Sequence, residues 1–207
     1  MYEIQLFGPL EVRTRGVRLT ADDLGGARPR QVLALLALHG AMSAAELAAL
    51  LWAGRPPTDP RHALEHEVSV LRRRLDPEAS RRTVVIARGD GYDLDTDQVR
   101  TDVARFDELL AAAAWRTPDR ALPPLTAAAH LAGRPLLTGE GRPGWLLRAR
   151  HLYHGRLVES LLSVGERALA AGLPGTAAEL AARALTIAPH IGTAAHRALA
   201  VGAATRG

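Results

Sequence analysis

The sequence of 207 residues contains no cysteine. It therefore forms no disulfide, has no thiolate nucleophile and offers no Cys-ligated zinc site. Long apolar runs are also missing, since the longest, residues 32–38, is far shorter than the roughly 20 residues of a membrane-spanning helix. The first four residues have neither the basic nor the apolar part of a signal peptide. These absences predict a soluble protein of the reducing cytoplasm that has no membrane contact.

Lysine is absent as well, so all 26 basic residues are arginine, against 22 acidic residues. The resulting net charge of +4 is compatible with a nucleic-acid partner, but it equally fits a solvated arginine-rich surface. Up to residue 95 the chain has 13 arginines and 13 acidic residues, and after it 13 and 9. The excess therefore lies in the second half, where it predicts a surface that faces DNA, an acidic partner or only solvent.

The length allows two small domains, and the composition changes near residue 95. Before that point, three short β-prone segments are separated by the turn-forming residues Gly8, Pro9 and Gly16. These segments are residues 2–7, 10–13 and 17–19. They predict a small antiparallel sheet at the start of the chain.

Three helices are predicted next. The first covers residues 30–39 and ends at Gly40, and the second begins at a capping box formed by Ser43 and Glu46. The third covers residues 61–75, and its apolar positions recur at the helical period: Leu64, Val68, Leu71 and Leu75. Two strand-like runs then form a hairpin with a basic tip. This order of elements predicts an α+β winged helix over residues 1–96.

The remaining residues, 102–207, contain only helical patterns, with Pro and Gly at the boundaries. The predicted helices are residues 102–115, 120–132, 145–171, 175–188 and 193–203. Small residues and a closing proline match the tetratricopeptide pattern at Gly165, Ala168, Ala177, Ala184 and Pro189. The pattern predicts an all-α tetratricopeptide-like domain ending in an incomplete repeat, either as a degenerate cap or as part of a longer protein. Trp115 and Trp145 are predicted to anchor helix packing.

The third helix carries the residues expected to contact double-stranded DNA, because a helix fits the major groove and Arg can pair with guanine. The predicted base-reading residues are His62, His66, Ser69, Val70 and Arg73. The predicted phosphate contacts are Arg30, Arg72, Arg74, Arg81, Arg82 and Arg88. A merely solvated amphipathic helix is the plain alternative.

A second alternative is a zinc peptidase, because His62, Glu65 and His66 match the H-x-x-E-H signature of such enzymes. Such an enzyme also needs a third ligand and a cleft, which the short polar helix does not indicate. The sequence has no phosphate loop, nucleophile elbow or Rossmann glycine pattern. We therefore expect no enzyme activity, no catalytic residue, no metal and no cofactor.

The ordered motifs resemble the Streptomyces antibiotic regulatory protein family. They are residues 7–12, Arg30-Gln31, Leu51-Trp52, Pro56-Pro57, Ala63-Leu64, Val68-Ser69, Leu71-Arg72 and residues 91–94. The resemblance implies an OmpR-type winged helix followed by a bacterial transcriptional activation domain. It further implies an activator of a biosynthetic, antibiotic-type gene cluster that binds direct repeats near a promoter as a homodimer and recruits RNA polymerase and its sigma factor.

The resemblance also implies a role for the loop between the second and third helices. Its residues would face RNA polymerase: Gly54, Arg55, Pro56, Pro57, Thr58 and Asp59. A plain connector is the alternative. Glu65, Glu67 and Val70 depart from the family pattern, which leaves the preferred DNA sequence open. The competing hypothesis for the whole chain is a protein-interaction or autoregulatory module of a larger regulator.

Overall fold

The computed structural model describes residues 1–76, 83–190 and 193–204. Within them the fold is mixed α/β, with eight α-helices and two small sheets. The chain divides into two compact units. Unit 1 contains Met1–Ala104 together with Pro135–Leu146, and unit 2 contains Arg105–Arg134 and the described residues from Leu147 onward.

The first sheet of unit 1 has the strand order β3-β2-β1-β7. The strands are β1 (Tyr2–Gln5), β2 (Glu11–Thr14), β3 (Val17–Leu19) and β7 (Val99–Thr101). The first three pair antiparallel, as predicted, and Ile4 and Val12 are buried opposite each other. The expectation of a purely antiparallel sheet is wrong at β7, which pairs parallel with β1. This pairing joins segments almost a hundred residues apart, which no local turn signal indicates.

Three helices follow the sheet: α1 (Ala27–His39), α2 (Ala44–Trp52) and α3 (Pro60–Leu75). A short 3₁₀ helix, Ala21–Leu24, precedes them. The Ser43 hydroxyl accepts a hydrogen bond from the Glu46 N–H, so the predicted capping box starts α2. Asp59 caps α3 by accepting a hydrogen bond from the His62 N–H at 3.0 Å. The apolar stripe of α3 is buried against α1 and α2.

A second sheet has the order β4-β6-β5. It consists of β4 (Met42–Ser43), β5 (Val85–Arg88) and β6 (Gly91–Leu94). Gly91 lies so close to β4 that a Cβ atom there would overlap the carbonyl oxygen of Met42. Glycine at this position therefore lets the hairpin β5–β6 pair with the strand that leads into α2.

Residues Pro135–Leu146 return to unit 1, although the predicted boundary placed them in the helical domain. We call this segment the strap. The Leu137 N–H donates to the Leu6 carbonyl at 2.8 Å, and the Thr138 N–H donates to the Gly8 carbonyl at 2.8 Å. Leu137 is fully buried. The strap thus satisfies backbone groups beyond the end of β1 and covers part of the apolar core.

Unit 2 is helical in its described residues. The helices are α4 (Asp102–Ala114), α5 (Pro118–Leu131), α6 (Gly144–Ala170), α7 (Pro174–Ile187) and α8 (Thr193–Ala204), of which α4 and α6 begin in unit 1. The helices α7 and α8 pack closely because small residues meet between them, and a Cβ on Gly202 would overlap the Ala178 side chain. No helix in the described chain combines the length and apolar composition needed to cross a bilayer.

The tryptophans behave differently from one another. Trp145 is buried in unit 1, as expected for a packing residue, whereas Trp115 is 91% exposed. The prediction for Trp115 is wrong because α4 ends at Ala114, so the ring follows the helix instead of lying on its buried face.

Candidate nucleic-acid interface

The outward face of α3 is the centre of the candidate site. His62, His66, Ser69 and Arg73 are all exposed, and they lie opposite the buried leucines because the intervals of four, three and four residues keep them on one helical face. The Arg73 side chain is exposed on this face. A guanidinium carries five N–H donors, so Arg73 can donate to more than one acceptor of a ligand.

Val70 lies at the edge of this face and is half-buried. A Cβ on Gly25 would lie 2.5 Å from its Cγ1 atom, so the valine packs against the Gly25 backbone. The Arg74 side chain passes the same glycine and remains exposed. Hydrogen bonds from the Thr20 backbone and side chain hold the pKa of Asp23 below its ordinary value, and Arg74 adds a smaller effect in the same direction.

The two described arginines at the hairpin have protein partners. The Arg72 Nε–H donates to the Val85 carbonyl at 2.9 Å, and its guanidinium carbon lies 5.8 Å from the centre of the Tyr92 ring. Arg88 forms an ion pair with the buried carboxylate of Asp93 and still exposes 65% of its side chain. The predicted phosphate contacts Arg81 and Arg82 lie outside the described residues.

Arg30 occupies an interior position. Its Nε lies 2.7 Å from Oε1 of Glu140 in the strap, its Nη1 donates to the Ala21 carbonyl, and only 18% of its side chain is exposed. These contacts hold the Arg30 guanidinium against the strap and the 3₁₀ helix, so a phosphate would have to approach it beside the Glu140 carboxylate. The phosphate contact of Arg30 stays a prediction.

The loop between α2 and α3 is largely exposed. Residues Gly54, Arg55, Pro56, Thr58 and Asp59 are exposed, and Pro57 is half-buried. The loop leaves α2 through left-handed backbone at Ala53 and Gly54, and Asp59 ends it as the cap of α3. Arg28 of α1 fixes its start by donating to the Leu51 carbonyl and by lying over the Trp52 ring.

Sequence patterns did not identify the roles of Arg28 and Glu140. Each residue contacts a partner more than twenty residues away in the chain. The helical period and the capping signals indicate only local structure, so they do not predict such contacts.

The surroundings of His62, Glu65 and His66 do not favour the zinc-peptidase alternative. Glu65 forms an ion pair with Arg61 at 3.3 Å, and both His62 and His66 are exposed. No group of three or more potential ligand side chains occurs in the part of the chain that the structure describes. The geometry there supplies two histidines on a solvated helix, which is a weak metal site without further ligands.

Comparison with known proteins informs the fold. No protein-family model and no curated protein matches the chain. A solved structure of EmbR from Mycobacterium tuberculosis, in complex with a low-affinity phosphopeptide, matches with a TM-score of 0.70 at 23% identity and covers 91% of this chain. The chain has the fold of EmbR. It spans 51% of the EmbR chain, so EmbR has about as much chain again beyond the matched part.

Proposed function

We propose that the chain is a transcription regulator that binds double-stranded DNA through α3, in the manner implied by its resemblance to the Streptomyces antibiotic regulatory proteins. The observation that carries the proposal is the exposed polar face of α3 beside the hairpin β5–β6. In this proposal unit 1 is an OmpR-type winged helix, α3 is its recognition helix and the hairpin is its wing. The shared fold with EmbR supports the architecture.

Base reading is assigned to the exposed residues of the outward face of α3. Arg73 donates to the two acceptors of guanine in the major groove, a pairing worth about 1–3 kcal/mol of discrimination. His62, His66 and Ser69 form hydrogen bonds with neighbouring base edges. Val70 contributes at most an apolar contact to a thymine methyl group, because Gly25 covers part of it.

Phosphate contacts place the helix in the groove without reading sequence. Arg74 and Arg88 are two exposed arginines among the predicted phosphate contacts. We assign Arg81 and Arg82 to the same role from the sequence alone. Glu65 and Glu67 repel phosphate, although Arg61 partly offsets the charge of Glu65.

The proposed activation step involves other proteins. The exposed loop of residues 54–59 contacts RNA polymerase and its sigma factor, while two copies of the chain bind direct repeats near the promoter of a biosynthetic gene cluster. Asp59 also supports this loop as the N-cap of α3.

Selection of bound duplexes from a random pool tests the proposal, followed by fluorescence anisotropy titrations at fixed salt. We expect the chain to enrich a repeated motif and to bind it at least a hundredfold more tightly than random duplex of the same length. Equal affinity for selected and random duplexes would show that the chain is not a sequence-specific DNA binder.

A protein-interaction role is the second candidate, and one observation in unit 2 favours it. A groove of about 280 Å³ lies between α4 and α6, with the apolar residues Leu110 and Val164 and the polar residues Ser160 and Ser163 in its lining. The exposed Trp115 follows α4 directly. Helical repeats commonly bind other proteins in such grooves. A Trp115→Ala variant that binds DNA normally but fails to activate transcription from a cognate promoter in a purified system would assign this surface to a protein partner.

A further inference from the structure

The three consecutive arginines of α3 differ in their surroundings. Arg73 and Arg74 are exposed, whereas Arg72 is half-buried. We infer that Arg72 is a positioning residue, which holds the hairpin β5–β6 against α3 and so sets where the hairpin meets DNA, instead of contacting a phosphate. The inference rests on the proposed function and assigns one residue of the same site a different role.

The contacts of Arg72 reach both strands of the hairpin. Its Nε–H donates to the carbonyl of Val85 in β5, and its guanidinium carbon lies 5.8 Å from the centre of the Tyr92 ring in β6, within the range of a cation–π interaction. Val85 is fully buried, and Tyr92 pairs with Ala87 of β5 and with Met42 of β4. One side chain from the recognition helix therefore contacts both strands of the hairpin, and β6 in turn pairs with β4.

Arginine suits this connection better than lysine does. A guanidinium is planar, stacks on aromatic faces and directs its Nε–H sideways along the plane, whereas an ammonium is a compact group without a plane. The distance of 2.9 Å to the Val85 carbonyl is that of an ordinary N–H···O hydrogen bond. The role thus depends on the shape of the side chain and not only on its charge.

The connection has a consequence for the tip of the hairpin. Arg88 lies at the end of β5 and is held there by the carboxylate of Asp93 in β6. Because Arg72 fixes the same two strands to α3, it fixes the position of the Arg88 guanidinium relative to Arg73. A loosened hairpin would still carry Arg88 but would present it over a range of positions.

Matched variants separate positioning from phosphate contact. Arg72→Lys keeps the charge but loses the planar guanidinium with its Nε–H donor, and Arg72→Gln loses both the charge and the guanidinium. We expect both variants to bind the selected duplex about tenfold more weakly than wild type, with an unchanged slope of log affinity against log salt. Arg74→Gln, a control at an exposed arginine, is expected to reduce that slope by about one. Wild-type affinity for Arg72→Lys, with a reduced slope for Arg72→Gln, would show that Arg72 contacts a phosphate and would overturn the inference.

Hydrogen exchange of the free protein tests the same contact without DNA. We expect Arg72→Lys to raise the exchange rates of the β5 and β6 amides at least fivefold, while the buried amides of α3 exchange as in wild type. Unchanged exchange in the hairpin would overturn the inference. If wild type shows no preference for the selected duplex, the proposed function fails, and the exchange experiment still decides whether Arg72 restrains the hairpin.

Discussion

At the scale of single residues, Arg73 and Arg74 are neighbours in sequence with different proposed tasks. Both are exposed on α3, but Arg73 lies at the centre of the outward face and Arg74 lies at its edge beside Gly25. We expect Arg73→Ala to reduce discrimination at one base position by about 1–3 kcal/mol, because a bidentate contact is lost. Arg74→Ala should weaken binding to every sequence alike. Titrations against single-base variants of the selected duplex measure this difference, and equal effects of the two changes on all duplexes would contradict the assignment.

A second prediction at this scale concerns Asp102. Its carboxylate oxygens accept hydrogen bonds from the Leu6 N–H at 2.9 Å and the Phe7 N–H at 2.8 Å, but burial outweighs them and raises the pKa of Asp102. A raised pKa in the folded state contributes stability below the ordinary value of 3.8, and this contribution is lost as pH rises through the folded pKa. We therefore expect the stability of wild type relative to Asp102→Asn, measured by urea unfolding, to decrease as pH rises from 3.8 through the folded-state pKa of Asp102. A difference that increases with pH would contradict this sign.

Residue roles were predictable from the sequence only where they depend on local spacing. The outward positions of α3, such as His66 and Arg73, follow from the helical period of the leucines. The surroundings of Arg30 and Arg72 depend on Glu140 and Tyr92, which reach them through folding of distant segments. The sequence therefore indicates which face is exposed, but it does not indicate which arginines on or near that face already have protein partners.

At the scale of elements, the contact between β4 and β6 depends on Gly91. A side chain at this position would overlap the Met42 carbonyl, so the hairpin would have to move away from β4. We expect Gly91→Ala to lower the free energy of unfolding by about 3 kcal/mol, through overpacking and lost pairing. Gly89→Ala is the matched control, because Gly89 has open space and a φ of 58°, so the cost there is about 1 kcal/mol of backbone strain. Urea unfolding measures the free energy of unfolding of both variants. A smaller decrease for Gly91→Ala than for Gly89→Ala would show that the contact between Gly91 and the Met42 carbonyl does not restrict the side chain at this position.

Long elements were easier to predict than short ones. The helix α3 has an N-cap, a proline at its first turn and four apolar residues at the helical period, so its start is predicted to within one residue. The strands β4 and β7 have only two and three residues, and both exist because they pair with distant partners. A segment of that length has no period to detect, which explains why the sequence did not predict either strand.

At the scale of the whole molecule, the strap connects stability to a segment far along the chain. Leu137 lies outside the predicted boundary of 1–96, but it is fully buried in unit 1. We expect Leu137→Ala to lower the free energy of unfolding by about 2–4 kcal/mol, because a buried leucine leaves a cavity. The β1 amides should lose protection from hydrogen exchange in this variant. Leu147→Ala is the control, since Leu147 is 40% exposed and should cost less than 1 kcal/mol. Full protection of β1 in Leu137→Ala would show that the strap does not stabilise the sheet.

The strap also bears on synthesis of the protein at the ribosome. The chain is made from its amino terminus at about 5–20 residues per second, so β1 through β7 emerge seconds before residues 135–146. During that time the carbonyls of Leu6 and Gly8 lack their donors, the N–H groups of Leu137 and Thr138. The Arg30 guanidinium likewise lacks the Glu140 carboxylate. Unit 1 thus completes its folding only after α4 and α5 have been translated. A nascent chain released between residues 104 and 135 would leave the unit open at the edge that the strap covers.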